Sequence, residues 1–162
     1  MVAPNTFLPD EAATLELGRA LAPCLAPGLV VYLRGDLGAG KTTLVRGVLR
    51  GLGYAGAVRS PTYALVELYE LSRLDLHHFD FYRFHDPREW IDAGFRECFD
   101  GRSVSLIEWP EKAAGSLPPA DLEIALTASG SGRSASFTPS SMRGRECLVL
   151  LARRYPLSSS SS

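Results

Sequence analysis

Glutamine is absent from this 162-residue chain, and asparagine occurs once, as Asn5. The guanine-reading signature N-K-x-D needs an asparagine followed by lysine, and Ras-like hydrolysis needs a water-positioning glutamine. Both are excluded. Lysine is nearly as scarce, with Lys41 and Lys112 set against fifteen arginines. The three cysteines, Cys24, Cys98 and Cys147, are far apart and in no metal-ligand spacing, so they read as buried thiols in a reducing compartment. No apolar run approaches the ~20 residues of a membrane span. The N-terminal stretch carries Asp10 and Glu11 rather than a basic leader. A cytoplasmic chain with no membrane contact is the expectation. The formal charge is -1, so no basic field draws the chain to nucleic acid, and any tRNA contact would be local or indirect.

What is present organises itself around one loop. Gly35-Asp36-Leu37-Gly38-Ala39-Gly40-Lys41-Thr42, followed by Thr43, has the phosphate-binding form G-x-x-x-x-G-K-[ST]. Leu29 to Leu33 before it reads as a buried strand, and Thr43 to Leu49 after it as the opening of an amphipathic helix ending at Gly53. That order is what the chemistry needs, because the glycines let successive N–H groups turn inward where a helix N-terminus adds positive potential. Asp36, Leu37, Gly38, Ala39, Gly40, Lys41, Thr42 and Thr43 are therefore candidate nucleotide contacts. Lys41 would reach the β- and γ-phosphates, and the Thr42 hydroxyl would ligate Mg2+. A chain so poor in lysine has placed one where a compact ammonium suits better than a guanidinium. Without residues to select guanine, ATP is the expected nucleotide.

The rest reads as one α/β domain over residues 1–157, a P-loop sandwich on a mixed parallel and antiparallel sheet, with a disordered serine tail at 158–162. Asp10 opens a helix that Pro23 ends, and this helix could cover the base side of the nucleotide. Arg46 and Arg50 fall on the expected solvated face of the helix after the loop. Two β-rich runs, Tyr63 to Tyr69 and Leu74 to Tyr82, are close enough for a hairpin. Asp86-Pro87 starts a short helix ending at Gly94, and Phe95 to Asp100 adds a further helical piece. Asp121 to Leu126 and Arg133 to Phe137 pair as strands, and a helix over Arg145 to Arg154 closes the chain.

Further residues bear on the chemistry. Val104 to Pro110 holds a β-rich run that ends on an acid, Glu108, the place where a triphosphatase holds its metal; Asp is usual there and Glu reaches one methylene further. Trp109 beside it would stack or pack. Asp80 shares a strand face with His78 and Tyr82, and a carboxylate there needs a cation, a metal or a water network. A salt bridge to Arg83 or another arginine is the alternative. His78 and Asp80 as ligands of a permanent metal lack a third ligand. Thr62, in Ser60-Pro61-Thr62-Tyr63, is the candidate switch contact to the γ-phosphate, although a plain Ser/Thr-Pro turn reads equally well.

The loop together with Ser60-Pro61-Thr62-Tyr63, His78-Phe79-Asp80-Phe81-Tyr82-Arg83 and Ile107-Glu108-Trp109-Pro110 resembles the bacterial TsaE (YjeE) family over residues 10–126. Tyr63 departs from the frequent Phe, and the segment after Arg133 matches little. The resemblance implies an ATPase for threonylcarbamoyladenosine formation in tRNA, acting with a TsaB–TsaD pair and resetting that complex between turnovers. It implies Lys41 and Thr42 on phosphate and Mg2+, Glu108 as metal ligand, Asp80 as catalytic or water-orienting acid, and Thr62 as switch. The competing classes are a small-molecule kinase, with Arg88, Arg96 and Arg102 in the only lid region, and a non-hydrolysing ATP switch that scaffolds assembly.

Overall fold

The computed structural model of the chain describes residues 3–86, 88–89 and 94–159. In chain order these form β1 (Pro4–Leu8), α1 (Glu11–Leu21), β2 (Val30–Arg34), α2 (Lys41–Gly51), β3 (Val66–Glu70), β4 (Asp75–Asp80) and β5 (Val104–Glu108). Then follow β6 (Leu122–Ser129), β7 (Gly132–Pro139), α3 (Met142–Arg154) and β8 (Ser158–Ser159). The strands make one sheet in the order β3-β4-β5-β2-β6-β7-β1-β8. The inner strands β4, β5, β2 and β6 run parallel, and β3, β7, β1 and β8 add antiparallel edges. The α/β class and the mixed sheet are as expected.

β5 is buried along its whole length, as a strand covered on both sides must be, while β6 alternates buried and half-exposed positions. Val31, Leu33, Leu76, Val104, Leu106 and Ile124 turn into a core shared with α1, α2 and α3. Val30, Phe79 and Ile107, of opposite parity, turn to the other face and meet Phe81 and Phe84. This second core is aromatic: the Phe79 ring stacks on Phe99 at 5.3 Å, and Phe81 on Phe84 at 4.7 Å. The parity matters for the site. His78 and Asp80 share the parity of Leu76, and Glu108 that of Leu106, so all three point to the helix-covered face where α2 begins. Register aligns Asp80 with Glu108 and Glu108 with Leu33, which puts both carboxylates beside the carboxyl end of β2.

Asp10 caps α1, its carboxylate accepting from the Ala13 amide at 2.9 Å. Small residues then let α1 lie directly on α2. A Cβ placed on Gly47 would come within 2.4 Å of the Leu15 carbonyl oxygen and 3.0 Å of the Gly18 Cα. Both obstacles are backbone, so only a shift of one helix could relieve them. Gly47→Ala is expected to cost about 1–3 kcal/mol, read as a lower urea midpoint with unchanged m-value. An unchanged midpoint would mean that the two helices are not held this closely.

Several elements differ from the sequence expectation. β1 carries Pro4 and Asn5, both poor strand formers, and exists because residues 5–8 pair with β7. Ser158 and Ser159, expected disordered, pair with Asn5 and Pro4 on the free edge of β1, where backbone bonding needs no side-chain preference. Arg46 and Arg50 are not simply solvated. Arg50 donates to the carbonyls of Tyr54 (2.9 Å) and Gly56 (2.8 Å), and Arg46 to Val58 and Glu11 (3.4 Å each), tying down the connection after α2. Phe95–Cys98 is a single 3-10 turn. The helix expected from Asp86 to Gly94 falls largely outside the described residues.

Candidate functional site

The loop between β2 and α2 closes on itself through its own backbone. The Ala39 amide donates to the Asp36 carbonyl at 3.0 Å, and the Leu44 amide makes the first α2 bond, to Gly40, at 2.9 Å. The amides of residues 41–43 consequently have no helical acceptor and point out of the helix start. Gly40 precedes the helix at φ 104°, a left-handed conformation that a side chain would strain. The result is a concave row of donors at the positive end of α2.

Lys41 is buried at the first position of α2. Its Nζ donates to the Gly35 carbonyl and lies 3.8 Å from the centroid of the Trp109 ring. Burial pulls its pKa below the ordinary lysine value, against the opposing pull of Glu108, Asp80, Glu111 and Asp36. Trp109 thus packs over the ammonium and also meets Tyr82 at 5.0 Å. Its backbone has φ 57°, and Leu65 has φ 71°; among the described residues these are the two non-glycine positions with positive φ. Both lie next to the site, where such strain tends to collect.

Thr42 and Glu108 meet: the hydroxyl donates to Glu108 Oε2 at 3.1 Å. The same oxygen lies 2.5 Å from His78 Nε2. His78 Nδ1 has no partner among the described residues. The tautomer with its proton on Nε2 fits this best, since it donates to the carboxylate and leaves Nδ1 a bare lone pair. His78 therefore supports Glu108 rather than pairing with Asp80 as a metal ligand. Asp80 accepts from Ser60 Oγ and from the Tyr82 amide at 2.9 Å. No ion pair joins it to Arg83, whose guanidinium instead stacks 4.6 Å from the Tyr63 ring.

One cavity of about 420 Å3 gathers these groups: Lys41, Thr42, Thr43, Ser60, Thr62, Asp80 and Glu108 line it, with Leu37, Gly38, Gly40, Tyr82, Arg83 and Trp109. Of the candidates, Asp36 and Ala39 line neighbouring hollows on the far side of the loop. One of these, about 260 Å3, is bounded by Leu8, Asp10, Glu11, Thr14 and Arg133 as well as residues 38–40. The Thr42 hydroxyl and the Glu108 carboxylate are hard oxygen donors, the kind that suits Mg2+ held partly by water and phosphate. Among the described residues no group of three His, Cys, Asp or Glu forms a cage for a metal of its own. Nor is any described helix long and apolar enough to cross a membrane.

Three contributors escaped the sequence. Ser60 stood in a noted motif, but only the fold puts its hydroxyl on Asp80. Strand alternation groups His78 with Asp80, while the fold places its ring against Glu108. Arg133 had no local signal: it lies 94 residues from Ala39, whose carbonyl it binds.

Comparison with known proteins agrees with the four motifs. The family described as Threonylcarbamoyl adenosine biosynthesis protein TsaE matches residues 8–135. The chain is 48% identical over 121 residues to the tRNA threonylcarbamoyladenosine biosynthesis protein TsaE of Haemophilus influenzae, covering 72% of this chain and 77% of that one. The TsaE of Bacillus subtilis is 39% identical over 135 residues, 83% of each chain. The crystal structure of Bacillus subtilis YdiB superposes with a TM-score of 0.81 at 31% identity, over 94% of this chain and 97% of that one. Motifs, sheet order and sequence likeness converge, and the chain belongs to the TsaE family of tRNA threonylcarbamoyladenosine biosynthesis proteins.

Proposed function

We propose that this chain binds ATP with Mg2+ and hydrolyses it in support of a TsaB–TsaD type complex that modifies tRNA, meeting tRNA only through those partners. The observation that carries the reading is the single cavity in which Lys41, Thr42, Asp80 and Glu108 converge from α2, β4 and β5. In this reading the amides of residues 40–43 and the Lys41 ammonium bind the phosphates, Lys41 exchanging the Gly35 carbonyl for phosphate oxygen. Thr42 and Glu108 hold Mg2+, and His78 keeps the Glu108 carboxylate turned toward Thr42. When bound, Mg2+ neutralises charge building on the β- and γ-phosphate oxygens. Asp80, aimed by Ser60 and the Tyr82 amide, orients the attacking water and takes its proton. Thr62, on the same wall, is the switch contact that senses the γ-phosphate. The nucleoside lies toward the hollow between the start of α1 and the loop.

The net charge of -1 suits a protein-docking subunit better than a polyanion groove. Radiolabelled ATP with and without a TsaB–TsaD complex tests the reading. Phosphate release stimulated by the partners is the expected result, with docking that differs between ATP and ADP in a pull-down. Label transferred to a metabolite would instead mark a small-molecule kinase, and tight ATP binding with no turnover a scaffold switch.

A further inference from the structure

Arg133, the second residue of β7, reaches back across the chain to the outside of the phosphate loop. Its Nε donates to the Ala39 carbonyl and its Nη2 to the Gly38 carbonyl, each at 3.1 Å. The fork of one guanidinium thus holds two consecutive peptide carbonyls. We propose that Arg133 is a positioning residue that clamps the phosphate loop from behind and sets the direction of its anion-binding amides. This rests on the ATP reading for its ligand and goes beyond it in assigning the residue that shapes the loop.

Peptide geometry links the clamp to the amides. A trans peptide is planar, and its C=O and N–H point in opposite directions. The Ala39 carbonyl belongs to the same peptide as the Gly40 amide, so drawing that carbonyl outward turns the Gly40 N–H inward. The Gly38 carbonyl shares its peptide with the Ala39 amide, which closes the turn on Asp36 at 3.0 Å. One side chain therefore fixes both the closing bond of the loop and the first amide offered to an anion. Gly38 and Gly40, with φ of 80° and 104°, supply conformations that few other residues hold, but they also leave those peptides free to flip. A planar fork can span two neighbouring carbonyls; an ammonium cannot hold both in one plane. The clamp also gives the β6–β7 hairpin a role in the site, since its turn sets Arg133 against the loop.

The test compares wild type, Arg133→Ala and Arg133→Lys in the full chain. Outer partners that hold a binding group in place are worth about 10–100-fold in affinity. Arg133→Ala is expected to weaken ATP, ADP and inorganic pyrophosphate by a similar factor of about tenfold, by calorimetry. Arg133→Lys is expected to stay weakened. In the nucleotide-free protein the assigned Gly40 amide resonance should shift and broaden in both variants, with the melting temperature within a few degrees of wild type. Wild-type affinity in Arg133→Lys would show that charge alone matters and overturn the clamp. Loss of ATP but not of pyrophosphate affinity would place Arg133 on the base and overturn it equally. A wild type that binds no phosphate compound would sink the ATP reading, while an unmoved Gly40 resonance would sink the clamp.

Discussion

Lys41→Ala is expected to lower ATP affinity at least about 100-fold while leaving the fold as stable as before or more so. The loss follows from what the ammonium replaces. Charge-assisted bonds to phosphate are worth about 1.5–3 kcal/mol each, and Lys41 lines the cavity at the start of α2, so losing two such bonds removes two or more powers of ten. Arginine is no substitute, because the space between the Gly35 carbonyl and the Trp109 ring receives a compact point charge. The stability half has the opposite sign. Burial lowers the lysine pKa, so the unfolded chain binds this proton more tightly than the folded one. Such a group costs stability at pH below its folded value, and the cost fades as pH rises through the interval between folded and unfolded values. Lys41→Met should accordingly melt at the same or a higher temperature at neutral pH and show a flatter rise of stability toward alkaline pH. Calorimetric titration with ATP and a melting series across pH read the two halves separately. ATP affinity surviving in Lys41→Ala would refute the assignment of the phosphate site.

That pairing of binding power with a stability cost is a mark of a site rather than of a core. The same holds for Glu108 and His78, both buried and polar on a sheet face otherwise lined by apolar residues. A carboxylate and an imidazole satisfy each other there, yet two apolar residues would pack as well without the orphaned Nδ1.

How far this could be read without coordinates depended on whether the signal was local. The loop was legible because phosphate binding fixes residue types at fixed spacing around a strand-to-helix turn. Glu108 was legible because a β-rich run ended on an acid, and β5 indeed stops there. The β3–β4 and β6–β7 hairpins announced themselves through short connections between β-rich runs. What failed was set by partners far along the chain. β1 is a strand only because β7 lies beside it, and β8 only because β1 has a free edge. Arg46 and Arg50 looked solvated by helix period, but the connection over residues 54–58 folds back onto them. Arg133 sits in a strand of ordinary composition, and nothing in its neighbours predicts a contact with residues 38 and 39. The alternation that put Asp80 on a face with His78 was right as parity. The ligand sharing it suggested was not, because each side chain found a different partner: Ser60 for Asp80, Glu108 for His78.

Asp80→Asn is expected to leave ATP binding within about threefold of wild type and to cut partner-stimulated hydrolysis by a factor of about 10²–10⁴, the usual worth of a positioned acid–base group. Binding survives because neither Lys41 nor the loop amides bond to Asp80, whose own partners are Ser60 and the Tyr82 amide. The fold survives because an amide oxygen can still accept from Tyr82 N–H and a hydroxyl can meet either end of the amide. What the variant loses is a carboxylate able to take a proton from water. Ser60→Ala should give a smaller loss of the same kind, since the carboxylate remains but one of its two holders is gone. Single-turnover hydrolysis with the partner complex, alongside ATP titrations, separates these outcomes. Equal loss of binding and turnover in Asp80→Asn would mean the residue serves the metal or the phosphates directly. Wild-type turnover would reduce the Ser60–Asp80 pair to a clasp that joins residue 60 to the end of β4. The graded order, with serine mild, asparagine severe and binding intact in both, is the pattern that only a water-orienting carboxylate produces.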